Sequence, residues 1–164
     1  MADTRADGVT RTIITFLLEV GFDIKFASLS HQTFLPGITA DRGTILIDEA
    51  KLLYPGDLLH EAGHLAVIPA EKRKRASGSL GKKASEEMMA IAWSYAASVH
   101  LGLEPEVVFH DGGYRGWSES LIENFTKGRY VGVSMLEWIG LTADKKRARE
   151  MGISPYPEMI KWML

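Results

Sequence analysis

The sequence predicts an α+β fold: a helix, a small N-terminal sheet, then a set of helices that carries the chemistry. Three observations lead there. Apolar residues recur at helical spacing from Val9 to Val20, alternation of period two follows in residues 22–26, and the chain turns helical for most of its length after Asp57. At 164 residues the chain has the size of one ordinary domain, so a single domain over 1–164 is expected.

In the first element, Val9, Ile13, Phe16, Leu17 and Val20 share one side, and Gly21 is a natural stop. Phe22, Ile24 and Phe26 then alternate with Asp23, Lys25 and Ala27, which predicts a strand with the three apolar side chains on its buried face. A second strand, Thr44 to Asp48, is rich in β-branched residues and follows the turn signal Asp41-Arg42-Gly43. The break at Tyr54-Pro55-Gly56 leads into a helix over about 57–68, stopped by Pro69. Residues 71–83 form a polar, glycine-containing connector, and 84–101 reads as a long helix apolar almost all round, hence buried. Beyond Gly102 the chain is irregular through the glycine-rich stretch 111–116, and shorter helices are expected at 118–126, 133–139, 143–151 and 157–163.

The balance of 19 basic against 21 acidic residues leaves a net charge of −2, too small to grip nucleic acid or an anionic membrane as a whole. With no cysteine there is neither a disulfide framework nor a thiolate metal site. The polar start, residues 1–8, lacks the order of a secretory signal, and Ile13 to Val20 is too short to span a bilayer. A soluble, cytoplasmic protein without a membrane or nucleic-acid partner is the expectation. The run Glu71-Lys72-Arg73-Lys74-Arg75, joined by Lys82 and Lys83, reads as a solvated loop. Without interleaved aromatics it is a poor nucleic-acid or acidic-peptide site.

The chemistry resides in His60-Glu61-Ala62-Gly63-His64. Residues four apart on a helix lie one turn above each other, so the imidazoles of His60 and His64 can converge on one ion. Zinc accepts two such nitrogens and a carboxylate, keeping a fourth position open. Glu61, beside His60, projects to the flank of that face, where it can serve as general base toward water. From this composition, chance assembly of HExxH occurs in about one shuffle in a hundred. Leu58, Leu59, Ala62, Leu65 and Ala66 make the segment a credible core helix, and Gly63 implies close packing of a strand or of the next helix.

A third ligand is needed. The pattern HExxHxxGxxH is excluded, because Val67 and Ala70 stand where its glycine and histidine would be. Glu86 and Glu87 open the following helix, and helix geometry leaves both open: Glu87 aligns with Ile91, Ser94 and Ser98, Glu86 with Ala90, Trp93 and Ala97. Ser85 as a cap would also favour acids there without any metal. His110 or Asp111 could take the place instead. Tyr95, His100, His110, Tyr114 and Arg115 are candidate hydrogen-bond donors to a transition state.

The order of helix, strands, HExxH helix and glutamate-led helix over Thr12 to Leu101 resembles the minimal gluzincin scaffold of the ImmA/IrrE-type zinc metallopeptidases. The stretch from Glu87 to Ala97 is similar to a group of small bacterial HExxH proteins in which a glutamate precedes the methionine. That resemblance implies a zincin-like fold, Zn2+ bound by His60, His64 and Glu87, and Glu61 activating water to cleave a peptide or protein substrate. It also implies that Thr44 to Asp48 is the substrate-binding edge strand. The alternative is a non-catalytic metal-binding or interaction protein, with recognition by the aromatic residues Trp117, Phe125, Tyr130, Trp138, Tyr156 and Trp162. A fourth zinc position open to a cleft would argue against it.

Overall fold

The computed structural model describes residues 4–164; Met1, Ala2 and Asp3, at the start of the polar N-terminal stretch, lie outside the described residues. Helix α1, Thr4–Val20, begins a turn earlier than the apolar pattern and buries Ile13, Phe16 and Leu17. It ends at Gly21, whose φ of +109° is open to glycine and strained for other residues, and whose N–H reaches back to Leu17 O at 3.2 Å.

Three short strands follow: β1 (Ile24–Phe26), β2 (Ile38–Asp41) and β3 (Thr44–Ile47), in the spatial order β1-β3-β2. Strand β2 is absent from the sequence reading, although its hairpin signal was present. Arg42 and Gly43, at φ of +47° and +81°, form the two-residue turn that joins it antiparallel to β3. Strand β1 pairs with the other side of β3 in parallel, Ile24 facing Ile45. Two expectations are corrected here. The segment Thr44–Asp48 is the central strand rather than an edge, because β1 and β2 occupy both its sides; β2 takes the edge. Phe26 is 57% exposed, left uncovered at the end of a three-residue strand, whereas Phe22 is buried as expected.

Helix α2, Asp57–Ala66, carries the two histidines, and all ten of its residues are buried. The connector contains one further turn of helix, α3 (Ala70–Arg73), before α4 (Ala84–His100). Beyond it lie α5 (Pro105–Val108), a 3-10 turn at Tyr114–Gly116, α6 (Ser118–Thr126), α7 (Val133–Trp138) and α8 (Lys145–Met151). No helix among the described residues is long and apolar enough to cross a membrane.

The helix expected at 157–163 does not form. Its backbone groups bond to distant elements instead: Ile160 N–H to Leu141 O at 2.8 Å, Leu164 N–H to Ala66 O at 2.9 Å, and Trp162 O accepts from the Trp93 indole at 2.9 Å. These contacts lay the C-terminal segment across α2 and α4. Trp93, fully buried, is enclosed by Phe16, Phe22 and Trp162 at ring separations of 6.3, 6.2 and 5.5 Å, which joins α1, α4 and the C-terminal segment in one core.

Arg73 turns inward from the basic run. Its guanidinium donates to Leu65 O (2.9 Å) and Ile68 O (3.0 Å), satisfying carbonyls at and just beyond the end of α2 that lack helical partners, and to Leu164 O (2.7 Å) of the C-terminal segment. Lys72, Lys74, Arg75, Lys82 and Lys83 remain exposed, as a solvated connector requires.

The loop between β1 and β2 is fastened by Asp48, which accepts the Leu29 N–H at 2.9 Å and the Ala50 N–H at 3.2 Å. The Leu29 hydrogen bond, with Lys51 adding to it, holds the Asp48 carboxyl below its ordinary value against the effect of burial. A folded-state pKa below the unfolded one stabilises at pH above the ordinary carboxylate range, and that contribution is lost as pH falls through the lowered value. Asp48→Asn should therefore lower the urea midpoint at pH 7, with the gap to wild type closing as pH is brought below about 3.9. A gap that persists unchanged in acid would contradict this account.

Candidate metal centre

Helices α2 and α4 lie close because Gly63 has no side chain. A Cβ there would stand 3.0 Å from Ala90 O and 3.2 Å from Ala90 Cα. The next helix is thus the close neighbour that the glycine implied. Ala90 is three residues after Glu87, so the contact that presses α4 onto Gly63 also presents Glu87 to the face bearing His60 and His64.

The three side chains converge. Glu87 Oε1 lies 3.2 Å from His60 Nε2, Glu87 Oε2 lies 2.9 Å from His64 Nε2, and the two Nε2 atoms are 3.1 Å apart. Donors sharing one tetrahedral ion with bonds of about 2.0–2.1 Å sit roughly 3.3 Å from one another, so these separations fit a small cation. The chemistry of the set fits too: two imidazole nitrogens and a carboxylate, with both histidines buried. His60, His64 and Glu87 are a group that could hold a metal ion. Glu86, one position earlier, is outside it, and so are His110 and Asp111.

Electrostatics agree with this grouping. Burial pushes the Glu87 carboxyl up, but hydrogen bonds and charge from His60 and His64 outweigh it and hold the group well below the usual carboxylate range. Glu61 behaves oppositely. Burial raises its pKa to about 7, His64 opposes the rise, and the neighbouring acids Asp57 and Glu87 add to it. Glu61 lines the same small pocket as the triad.

Two clefts meet at the triad. One, of about 230 Å3, runs toward the β2 edge past Ile38 and Thr39, under the loop that Asp48 fastens. The other, about 1110 Å3, lies between Phe34 and Leu35 on one wall and Tyr54, Tyr114, Trp117 and Leu121 on the other. The connector before α4 crosses close above the metal-binding group. At Gly81, with φ of +74°, a Cβ would come 2.2 Å from His64 Cε1 and 2.8 Å from Glu87 Oε2. Only glycine fits there, a site role hidden in a stretch whose composition reads as a plain polar loop.

A second polar pair sits one helical turn from His60. Asp57 Oδ1 and His110 Nε2 are 2.7 Å apart, and the Tyr54 ring stacks on His110 at 3.8 Å, nearly parallel. The Tyr114 hydroxyl is 3.2 Å from His60 Nδ1, and burial, reinforced by Asp57 and Glu87, keeps it a neutral phenol. Asp57 and Tyr54 escaped the sequence reading, since an acid in a first helical turn looks like dipole compensation. Of the other donor candidates, Arg115 borders the larger cleft, while Tyr95 packs among Phe109 and Phe125 and His100 against Phe16 and Trp162. The aromatic residues of the C-terminal half do not form one exposed face. Phe125 and Tyr156 are core, whereas Trp117 and Trp138 are exposed.

No protein-family model, curated protein or solved structure matches the chain. The likeness to zincins rests on the HxxxH pair of α2 and the glutamate of α4.

Metal analysis of purified variants tests the group directly. His64→Ala and Glu87→Ala should each lose bound metal, whereas Glu86→Ala should keep it at the wild-type stoichiometry. Metal lost from Glu86→Ala but retained by Glu87→Ala would reverse the assignment.

Proposed function

We propose that the protein is a zinc-dependent hydrolase, a metallopeptidase in which His60, His64 and Glu87 bind Zn2+ and Glu61 is the general base. The observation that carries this reading is the open side of the triad. Among the His, Cys, Asp and Glu side chains of the described residues only three donors converge, and two clefts adjoin the group, one lined by His60, Glu61, His64 and Glu87 and the other by His60 and Glu87. A structural site is closed by a fourth protein ligand, whereas a catalytic one keeps that direction for water and substrate.

When bound, the ion supplies Lewis acidity, acidifying water and polarising a carbonyl. The chain's own groups do the rest. The buried Glu61 carboxylate takes a proton from the attacking water and passes it to the leaving nitrogen as the C–N bond breaks. Its raised pKa matches that exchange, because a base poised near neutrality can both accept and return the proton. Glu87, held ionised, offsets part of the cation's charge, and its paired oxygens keep both imidazoles directed at one point.

The larger cleft, about 1110 Å3, has the volume for part of a peptide, and Phe34, Leu35, Ile91 and Trp117 in its lining favour bulky apolar side chains over a small polar metabolite. The edge strand β2 beside the smaller pocket has only part of its edge left for the same chain, because Ala40 O already accepts the Gly78 N–H at 2.9 Å and the Ile38 N–H donates to Leu35 O at 3.1 Å. This replaces β3, whose ladder groups are already taken on both sides.

Glu61→Gln tests the mechanism, since it preserves shape while removing the base. It should retain zinc and lose at least about a hundredfold in turnover of a casein or peptide-library substrate, the range general-base loss produces. Zinc retention with undiminished hydrolysis would sink the proposal.

A further inference from the structure

A histidine that binds metal through Nε2 carries its proton on Nδ1, and the partner of that N–H fixes the ring's tautomer and orientation. The common partner is a carboxylate or a backbone carbonyl. Here the two histidines differ. His64 Nδ1 is buried with no hydrogen-bond partner, so His64 is oriented by packing and by Glu87 alone. His60 Nδ1 faces the Tyr114 hydroxyl at 3.2 Å, and the two rings stand edge to face, 5.6 Å apart at 89°.

The backbone around Tyr114 is unusual in a way that supports a role. Tyr114 and Arg115 both have positive φ, +57° and +52°, a left-handed conformation that non-glycine residues avoid. Two such residues in succession persist only where the surroundings hold them, and such strain concentrates at functional sites. The surroundings here are specific. His110 is tied to Asp57 on α2 and stacked under Tyr54, and Ser118 donates to His110 O at 2.7 Å. The turn is thus fastened to α2 at Asp57, and it returns a hydroxyl to α2 at His60, one turn further on.

We infer that Tyr114 is a positioning residue for the metal centre: its hydroxyl oxygen accepts a hydrogen bond from the His60 Nδ1–H and directs Nε2 toward Glu87 and the ion. The inference rests on the zinc reading above, but concerns how the site is held rather than what it cleaves. The Asp57–His110 pair and the left-handed turn serve to place this one oxygen.

Tyr114→Phe removes the oxygen and keeps the ring contacts with Phe109 and His110. Zinc affinity, measured by competition with a chromogenic chelator, should fall at least about tenfold, as loss of a ligand's hydrogen-bond partner does. The thermal midpoint of the metal-free protein should stay at the wild-type value. Independently of any variant, 15N NMR of the zinc-loaded wild type should show His60 protonated on Nδ1, with a slowly exchanging proton that Tyr114→Phe renders labile. Equal zinc affinities for wild type and variant, or a His60 Nδ1 proton that exchanges equally fast in both loaded proteins, overturn the inference while leaving the zinc site standing. A wild type that takes up no zinc overturns both.

Discussion

The approach of α2 to α4 at Gly63 and Ala90 is the constraint on which the rest depends. Two helices of ordinary composition pack with their axes about 8–10 Å apart, at distances set by the side chains between them. With a hydrogen in place of a side chain at position 63, the backbone of α4 comes within van der Waals reach of α2. That approach lets the short carboxylate of Glu87 touch both imidazoles. A methyl group in the seam would push back against backbone atoms, which have little room to yield, and would open the triad by a few tenths of an ångström. Glycine in a helix interior costs about 1 kcal/mol relative to alanine, and here the close helix pair offsets it.

Around that seam the other elements act as supports. The C-terminal segment lies across both helices, through Leu164 on Ala66 and Trp162 on Trp93, so their relative position is tied at a second point. Arg73 closes the end of α2 with contacts to two carbonyls and ties it to the C-terminal segment through Leu164 O. The small sheet contributes no donor to the triad. Its part is to provide an edge, β2, and a fastened loop that together wall the smaller pocket. The glycine-rich stretch after α5 walls the larger one and reaches back to His60. Metal-binding donors on rigid helices, cleft walls on loops, is the division that lets a site be both well placed and accessible.

The surroundings also divide the carboxyl groups by task. Glu87 lies among imidazoles and stays ionised, Asp57 is paired with His110, and Glu61, adjacent in sequence to His60, is driven by burial toward neutrality. Glu61 and Glu87, on two neighbouring helices, thus hold different protonation preferences without any difference in intrinsic chemistry. The cause is burial for Glu61 and the two imidazoles for Glu87, not the residue type.

The sequence by itself determined whatever depends on local periodicity. The spacing of His60 and His64, the helices at α1, α2, α4 and α6, and the significance of Gly63 follow from a few residues along one strand of chain. So does the exclusion of the HExxHxxGxxH pattern. Tertiary structure alone decided the rest. Glu86 and Glu87 could not be separated because positions three and four apart share a helix face, and Ala90 stands in that relation to both; only the approach of the Glu87 oxygens to the two imidazoles says which acid joins them. The edge role passed from β3 to β2 because strand order is a matter of pairing, not of pattern. The segment 157–163 has helical composition, but its backbone groups found partners on Leu141 and Ala66. Asp57, Gly81 and Tyr114 gain their roles from residues far away in sequence, and no local signal carries a distance that folding alone creates.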